Sequence, residues 1–175
     1  MKDNEIIKSL LSRRSVRSYK EQQISDDELS TVLRVGTYAP TAMGRQDPWI
    51  VAVQNPELRA ELSTMNARVM GVDFDPYYGA PTIVLVFATK GGANALQDAS
   101  LVLGNMMNAA HAIGLGSCWI NREIQMFDTP EGQAIMQKLK LPEELTCVGA
   151  IALGYPSKEP GEPKPRKAGY AQVVK

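Results

Sequence analysis

The sequence predicts an α+β fold in which a small mixed, mainly antiparallel sheet surrounds one buried central helix. Short runs of apolar and β-branched residues alternate irregularly with stretches of helical periodicity. Strands are expected at residues 49–53, 83–88, 116–120 and 146–154. The segment 96–113 is apolar around most of its circumference, which is typical of a helix buried centrally or in a subunit interface.

Length and charge limit the classes of protein to consider. The 175 residues fit a single domain, spanning 1–175, that ends in an extended tail over 155–175. Lys plus Arg and Asp plus Glu balance at 19 each, so we expect no binding to nucleic acid or to an anionic membrane. No apolar run approaches the roughly 20 residues that span a bilayer.

The N-terminus and the cysteines predict a cytoplasmic protein. Residues 1–5 are charged and lack the apolar core of a secretory signal. Cys118 and Cys147 lie in apolar segments without C-x-x-C spacing, so we expect buried free thiols in a reducing compartment.

The first helix is short and amphipathic. Ile6, Ile7, Leu10 and Leu11 recur at helical spacing, so we expect them to bury one stripe and the helix to end near Arg13.

Later helices begin at capping residues. Ser25 and Glu28 form a capping box, in which each side chain satisfies a free amide near the helix start. Asn55 caps a helix that runs to about Met70, and Thr129 caps another.

The strands and the tail differ in their expected burial. The run at 83–88 is continuously apolar, which favours a strand covered on both faces. Four prolines between residues 156 and 165 favour an extended tail that wraps a surface, and residues 170–174 could form a short edge strand.

Familiar nucleophile and nucleotide motifs are absent from the sequence. There is no G-x-x-x-x-G-K-[ST] and no G-x-S-x-G, and the glycines at 114 and 116 lack the third member of a dinucleotide fingerprint. His111 is the only histidine, and its position favours a hydrogen bond in the core or an interface, so we predict no metal site. Chemistry without such groups usually belongs to a bound cofactor.

Two basic clusters predict a specific anion site in a chain without net charge. They comprise Arg13, Arg14, Ser15 and Arg17 after the first helix, and Lys164 and Arg166 in the tail. Arg13 and Arg17 are four residues apart, close enough to reach one phosphate or one ring edge. Taken alone, three arginines at a helix end are most often a solvated terminus that favours the helix dipole.

The segment 40–46 has two interpretations. It is either an ordinary connection or a loop of small residues whose backbone approaches a planar ligand closely.

Six segments, taken in order, resemble the FMN-dependent nitroreductase family, and in particular its short NAD(P)H nitroreductase-like members, over nearly the whole chain. They are Arg13-Arg14-Ser15-Val16-Arg17; Ala39-Pro40-Thr41-Ala42 with Gln46 and Pro48-Trp49; Tyr78-Gly79-Ala80-Pro81; Asp98-Ala99-Ser100; Gly114-Leu115-Gly116-Ser117 with Trp119; and Leu153-Gly154-Tyr155-Pro156 with the basic tail.

The resemblance implies a nitroreductase-like fold and an intertwined homodimer with FMN at the subunit interface, which would account for the apolar helix. The cofactor-binding residues that it implies are Arg13, Arg14, Ser15, Arg17, Pro40, Thr41, Ala42, Met43, Gln46, Asn66, Ile120, Asn121, Arg122, Lys164 and Arg166.

The same resemblance assigns roles at the two ends of the cofactor. Arg13 would hold the FMN phosphate, aided by Lys164 and Arg166, while Ser15 and Arg17 would contact the pyrimidine edge of the ring.

Three further segments would surround the ring. Asn66 would meet the pyrimidine edge, residues 40–43 would line one side, and the backbone at 120–122 would face the other side near N5. Some family members have Glu-Gly where this chain has Asn121-Arg122.

The implied activity is hydride transfer from NAD(P)H through flavin N5 to a small nitroaromatic or quinone acceptor, in a ping-pong sequence. No side chain is expected to act as a catalytic acid or base, and Arg17 would stabilise the reduced flavin. Three other functions fit the same resemblance: reductive dehalogenation, flavin fragmentation, and non-catalytic flavin binding.

Overall fold

In the computed structural model, which describes residues 3–175, four strands form one sheet in the order β1-β2-β4-β3. They are β1 (Trp49–Val53), β2 (Thr82–Thr89), β3 (Gly116–Ile120) and β4 (Leu145–Gly154). Each neighbouring pair of strands is antiparallel. The expectation of a mixed sheet is therefore wrong for these strands, because the parallel contact of residue 15 with residue 117 is only an isolated bridge. Met1 and Lys2, in the predicted charged start, lie outside the described residues.

The helices occur where the sequence predicts them, with one addition. The helices are α1 (Glu5–Ser12), α2 (Asp26–Thr37), α3 (Pro56–Met70), α4 (Ala95–Ala112), α5 (Glu123–Phe127) and α6 (Pro130–Lys138). The predicted capping box at Ser25 and Glu28 is confirmed, as are the caps at Asn55 and Thr129. Helix α5 is the addition, because its five residues are too few to show helical periodicity.

The sheet lies between two layers of helices. Val84 and Val86 of β2 face the core shared with α2 and α4, while Ile83, Leu85 and Phe87 face the core shared with α3, α5 and α6. Successive side chains of a strand point to opposite faces, so a continuously apolar strand requires cover on both. The predicted two-sided burial of this segment is confirmed.

Helix α4 is buried on one face only. The buried side comprises Asp98, Ala99, Val102, Leu103, Met106, Ala109 and Ala110. On the other side Leu101 is 46% exposed and Leu96 is 55% exposed. The helix thus packs on the sheet and is not surrounded by it, so the prediction of a buried central helix is wrong within one chain.

Helix α1 leaves its apolar residues uncovered. Ile6, Ile7, Leu10 and Leu11 are all exposed, and no residue of α1 is buried. The expectation that they bury a stripe is wrong for the single chain, because only α4 packs closely against this helix.

The tail after β4 is extended, and its first residues are hydrogen-bonded to the segment that follows α1. The amide of Ser157 donates to the carbonyl of Ser18 at 3.0 Å, and the amide of Lys20 donates to the carbonyl of Tyr155 at 2.9 Å. The edge strand expected at 170–174 is wrong, since these residues are exposed and form no ladder. None of the described helices combines the length and apolarity needed to cross a bilayer.

The core contains the two predicted free thiols and one carboxyl. Cys118 and Cys147 are buried and unpaired with each other, as expected. Glu123, at the start of α5, is fully buried. Its Oε1 accepts hydrogen bonds from the Tyr77 hydroxyl at 3.0 Å and from the Asn66 amide at 3.2 Å. Its Oε2 is buried without a partner.

The burial of Glu123 gives stability a distinctive pH dependence. Desolvation raises the pKa of this carboxyl from its ordinary value of 4.5 to about 7, against smaller opposing effects of its hydrogen bonds and of Arg122. The folded protein therefore binds this proton more tightly than the unfolded chain does. We expect this group to reduce the free energy of unfolding by about 3 kcal/mol as the pH rises through that interval.

Urea titrations at a series of pH values would measure this loss by comparing wild type with Glu123→Gln, which cannot titrate. Glu144→Gln, the same change at an exposed carboxyl, is the matched control. An equal pH dependence in wild type and Glu123→Gln would contradict the prediction.

Candidate functional site

The arginine-rich segment after α1 lies along the free edge of β3. Ser15 forms a bridge with Ser117, and the amide of Val16 donates to the carbonyl of Ser117 at 3.0 Å. Val16 is buried against Gly116, where an added Cβ would come within 2.9 Å of the valine side chain. Because side chains alternate along extended chain, Ser15 and Arg17 point away from Val16 and are exposed.

The structure brings Arg13, Arg14 and Ser15 together with Lys164 and Arg166 in one cleft of about 700 Å³. Its lining residues are Leu10, Leu11, Arg13, Arg14, Ser15, Pro163, Lys164, Pro165 and Arg166. The cleft forms because the tail starts alongside the segment that follows these arginines. Residues from opposite ends of the sequence thereby line one depression.

The cationic groups of this cleft lack carboxylate partners. Among the described residues, the ion pairs involve Lys8, Arg68 and Lys90, and none involves a residue of the cleft. The Nη1 atom of Arg13 is buried without a hydrogen-bond partner. Because its lining cations have no ion pairs, the cleft is suited to an anion with several acceptor oxygens.

Arg14 is partly committed to the end of α1. Its Nη1 donates to the carbonyls of Leu11 and Arg13, both at 2.8 Å. These carbonyls belong to the helix end and the residue beyond it, where acceptors lack intrahelical donors. Arg14 therefore fits the solvated-terminus interpretation better than Arg13 does.

Arg17 lies apart from the cleft. Four residues of extended chain span about 13 Å, and Arg17 does not line the depression that holds Arg13. That both arginines reach one phosphate or one ring edge stays a prediction.

His111 is near the cleft and is hydrogen-bonded, but at a half-buried position and not in the core of the chain. Its Nε2 lies 2.8 Å from the Ser12 hydroxyl oxygen. Burial lowers the pKa of His111, and the charges of Arg13 and Arg14 lower it further, so the neutral form is favoured at neutral pH.

A second group of predicted residues meets at the end of β3. The side chain of Asn66, on α3, donates to the carbonyl of Asn121 at 3.0 Å. In return, the Nε of Arg122 donates to the Oδ1 of Asn66 at 2.8 Å. Ile120 is buried immediately before this turn.

The turn places Arg122 in an unusual backbone conformation. Its φ of 85° and ψ of 0° lie in the left-handed region, which favours glycine and costs a residue with a Cβ about 1–2 kcal/mol. This is the position where the resemblance places the glycine of Glu-Gly. The hydrogen bond to Asn66 opposes that strain.

Asn66 is less accessible than the resemblance implies. The residue is 0% exposed, and its amide is occupied by Asn121, Arg122 and Glu123. A direct contact of this amide with a ring edge would require one of those bonds to break. In the present geometry Asn66 acts on the turn itself.

The loop at 40–46 forms a third group beside the start of α4. The amide of Ala42 donates to both carboxylate oxygens of Asp98 at 3.1 Å, and the amide of Gln46 donates to the Thr41 hydroxyl at 3.0 Å. Met43 is 80% exposed at the tip. Pro40 precedes this turn and is also exposed.

The third group is remote from the other two. The loop leads into β1 and contacts α4, whereas Ser15 pairs with β3 at the opposite sheet edge, three strand spacings or about 14 Å away. Asn66 and Arg122 belong to the helix layer on the other face of the sheet. One chain therefore does not assemble all the predicted residues around one ligand.

Sequence reasoning missed Glu123, Tyr77 and the role of Asp98 as an anchor. Asp98 belongs to one of the resembling segments, but its contact with Ala42 spans 56 residues and has no local signature. The sequence around Glu123, Asn121-Arg122-Glu123-Ile124-Gln125, is largely polar and gave no local signal that this carboxyl is buried.

Comparisons with known families and solved structures agree on one protein family. Residues 10–72 and 68–155 match the Nitroreductase family. A nitroreductase with bound FMN from Bacteroides fragilis is 33% identical, with a TM-score of 0.90, and the match covers 99% of this chain and 100% of that one.

Two other relatives agree with this assignment. An FMN-dependent nitroreductase from Clostridium difficile is 26% identical with a TM-score of 0.84, over 98% of this chain and 100% of that one. A Bacillus subtilis FMN reductase (NADPH) is 26% identical over 93% of this chain and 70% of its own length. The family model matches most of this chain, and the solved structure from Bacteroides fragilis shares its α+β architecture. The chain therefore belongs to the nitroreductase family.

Proposed function

We propose that this protein is an FMN-dependent NAD(P)H oxidoreductase that acts on nitroaromatic or quinone-type acceptors. The observation that supports this most directly is the cleft in which Arg13, from the start of the chain, lies with Lys164 and Arg166 of the tail. The names of the relatives, which include nitroreductases and FMN reductases, support the same class of chemistry.

The cleft residues fit the phosphate end of the cofactor. FMN phosphate carries about two negative charges near neutral pH. Arg13, Lys164 and Arg166 supply the compensating charge, and guanidinium groups offer paired donors to phosphate oxygens.

Arg17 fits the ring end of the same ligand. It projects from the extended segment about 13 Å beyond Arg13, next to exposed Ser15. A fixed cation at the N1–C2=O edge stabilises the reduced ring, which carries negative charge there, more than the oxidised one. Arg17 would thus tune the reduction potential, while Arg13 contributes to affinity.

FMN, when bound, supplies the redox chemistry by accepting hydride from NAD(P)H at N5 and passing it to the acceptor in a ping-pong sequence. The chain has to position the ring and leave one face open to each reactant in turn. In this proposal the turn at Asn121 and Arg122, which is hydrogen-bonded to Asn66, would line the N5 side.

Two copies of the chain are needed to complete this site. Residues 40–46 lie on the α4 face near one sheet edge, while Ser15 and Arg17 lie beyond the other edge. In a homodimer, the loop of one copy would meet the arginine segment of its partner. The exposed apolar residues of α1 and α4 provide the surface for that association.

The first test is the absorbance spectrum and steady-state kinetics of the purified protein. We expect bound or readily reconstituted FMN, a higher Tm with added FMN, and parallel double-reciprocal plots for NAD(P)H and a nitroaromatic or quinone. A colourless protein that is not stabilised by FMN would refute the proposal. FMN binding without NAD(P)H oxidation by any acceptor would indicate a non-catalytic module. Dehalogenated products would indicate reductive dehalogenation, and cleavage of the flavin ring would indicate flavin fragmentation.

Substitution of Arg13 should mainly change FMN affinity, whereas substitution of Arg17 should mainly change the reduction potential of bound FMN. Arg13→Ala should weaken FMN binding by about 1.5–3 kcal/mol, a 10- to 100-fold rise in Kd, because a charged phosphate contact is lost. Arg17→Ala should lower the two-electron potential of bound FMN by about 30 mV or more, with a smaller effect on Kd. Fluorescence titration and spectroelectrochemistry measure these quantities.

Two control variants accompany these measurements. Arg34→Ala, at an exposed arginine on α2, should change neither quantity, and Arg17→Lys should partly restore the potential. An unchanged Kd in Arg13→Ala would return the arginine cluster to the role of a solvated helix end.

Disrupting the apolar face of α4 should abolish both assembly and cofactor binding. Leu101→Glu places a charge on the exposed side of α4, and we expect a folded monomer whose FMN affinity falls at least tenfold, since the partner's loop is missing. Sedimentation velocity and FMN titration measure the two effects. Val69→Glu, at an exposed apolar site on α3, is the control, and tight FMN binding by monomeric Leu101→Glu would contradict a shared site.

A further inference from the structure

Glu123 links the protein core to the turn that lines the proposed flavin site. Its Oε1 accepts from the Asn66 amide at 3.2 Å, and the same amide donates to the carbonyl of Asn121 at 3.0 Å. Asn66 also accepts from Arg122 at 2.8 Å. Glu123 therefore contacts the side chain that holds both residues of the turn, and it follows Arg122 directly in the chain.

We propose that Glu123 is a positioning residue whose carboxyl, acting through Asn66, holds the Asn121–Arg122 turn in the conformation that faces the flavin. This inference rests on the proposed FMN site. Glu123 is fully buried and contacts neither cofactor nor substrate. In this proposal it controls the geometry of the protein on the N5 side of the flavin.

The geometry makes the conformation of the Asn121–Arg122 turn depend on whether Glu123 is protonated. When the carboxyl is neutral, Oε1 can accept from Tyr77 and Asn66 inside the core. When it is charged, the buried Oε2 has no donor in the described structure, which is an expensive arrangement. Water that reached Oε2 would relieve the charged form. In this proposal it enters by opening of the Asn121–Arg122 turn, which Asn66 joins to Glu123.

The surrounding groups support a transition near neutral pH. Titratable or charged groups face Glu123 from three sides: Tyr77 in the loop before β2, Cys147 on β4, and Arg122 at the turn, with neutral Asn66 on α3. Burial raises the pKa of Glu123 to about 7, and it also raises the pKa of Tyr77 and of Cys147 well above their ordinary values. Arg122 is the cation among these groups and opposes the rise for Glu123.

Because Arg122 has a left-handed backbone, the conformation of the turn is sensitive to any weakening of its contact with Asn66. A residue with a Cβ adopts φ near 85° only where neighbouring contacts hold it there. The contact in question is the bond from its Nε to Asn66. Weakening the position of Asn66 would therefore release a strained residue into a more extended conformation.

The test compares wild type, Glu123→Gln and the exposed-site control Glu144→Gln as full-length proteins at pH 6 and pH 8. FMN affinity is measured by quenching of flavin fluorescence. Amide hydrogen exchange over residues 118–126, corrected for intrinsic rates, is measured on the same proteins without FMN.

We expect the ratio of the wild-type Kd to that of Glu123→Gln to rise about tenfold from pH 6 to pH 8. The titration of the FMN phosphate affects the Kd of both proteins equally, so it cancels in this ratio. Exchange over 118–126 should quicken at pH 8 in wild type and in Glu144→Gln, and should stay slow in Glu123→Gln, whose amide reproduces the neutral carboxyl.

A constant ratio together with unchanged exchange would overturn the inference and leave Glu123 a residue of stability alone. If no protein binds FMN at either pH, the proposed function fails, while the exchange data still decide whether Glu123 holds the turn. Should Glu123→Gln not fold, Tyr77→Phe serves instead. It removes a donor to the carboxylate, so the pH midpoint of exchange should move upward, and an unmoved midpoint would overturn the inference.

Discussion

The pairing of β2 with β4 is the constraint on which the placement of every candidate site residue depends. Both strands are buried along nearly their whole length, with α2 and α4 covering one face and α3, α5 and α6 covering the other. A strand covered on both faces leaves no room for a ligand within the sheet. Polar and charged groups are therefore confined to the sheet edges and strand ends, where the basic segment, the turn after β3 and the loop before β1 are found.

Charge is organised at one of these edges although the chain as a whole is neutral. The bonds that join Ser157 to Ser18 and Lys20 to Tyr155 align the tail with the segment after α1. This alignment places Arg13 and Arg166 in one cleft without a neighbouring carboxylate. Arg13 is half-buried in this cleft, whereas Lys164 and Arg166 are exposed, so the cleft is an accessible cationic surface of the kind that a phosphate would suit.

The turn after β3 is held by residues of the buried core. Glu123 and Asn66 are fully buried, yet they hold a turn in which Arg122 adopts a strained backbone. A glycine at position 122 would remove the strain and also the guanidinium that anchors the turn to Asn66. A buried polar network of this kind stabilises one conformation only while every member keeps its partner, which is why the unpartnered Oε2 of Glu123 is significant.

The sequence by itself determined where most helices and strands lie and to which family they belong. Caps such as Ser25 and Asn55, and the apolar run of β2, are local signals, since each depends on residues only a few positions apart. Only the tertiary structure decided that the sheet is antiparallel throughout, that α4 is buried on one side, and that Arg13 lines the same cleft as Lys164 and Arg166. Periodicity shows which face of a helix is apolar but not what covers it, and contacts such as that of Ala42 with Asp98 join residues too distant in sequence to leave a pattern.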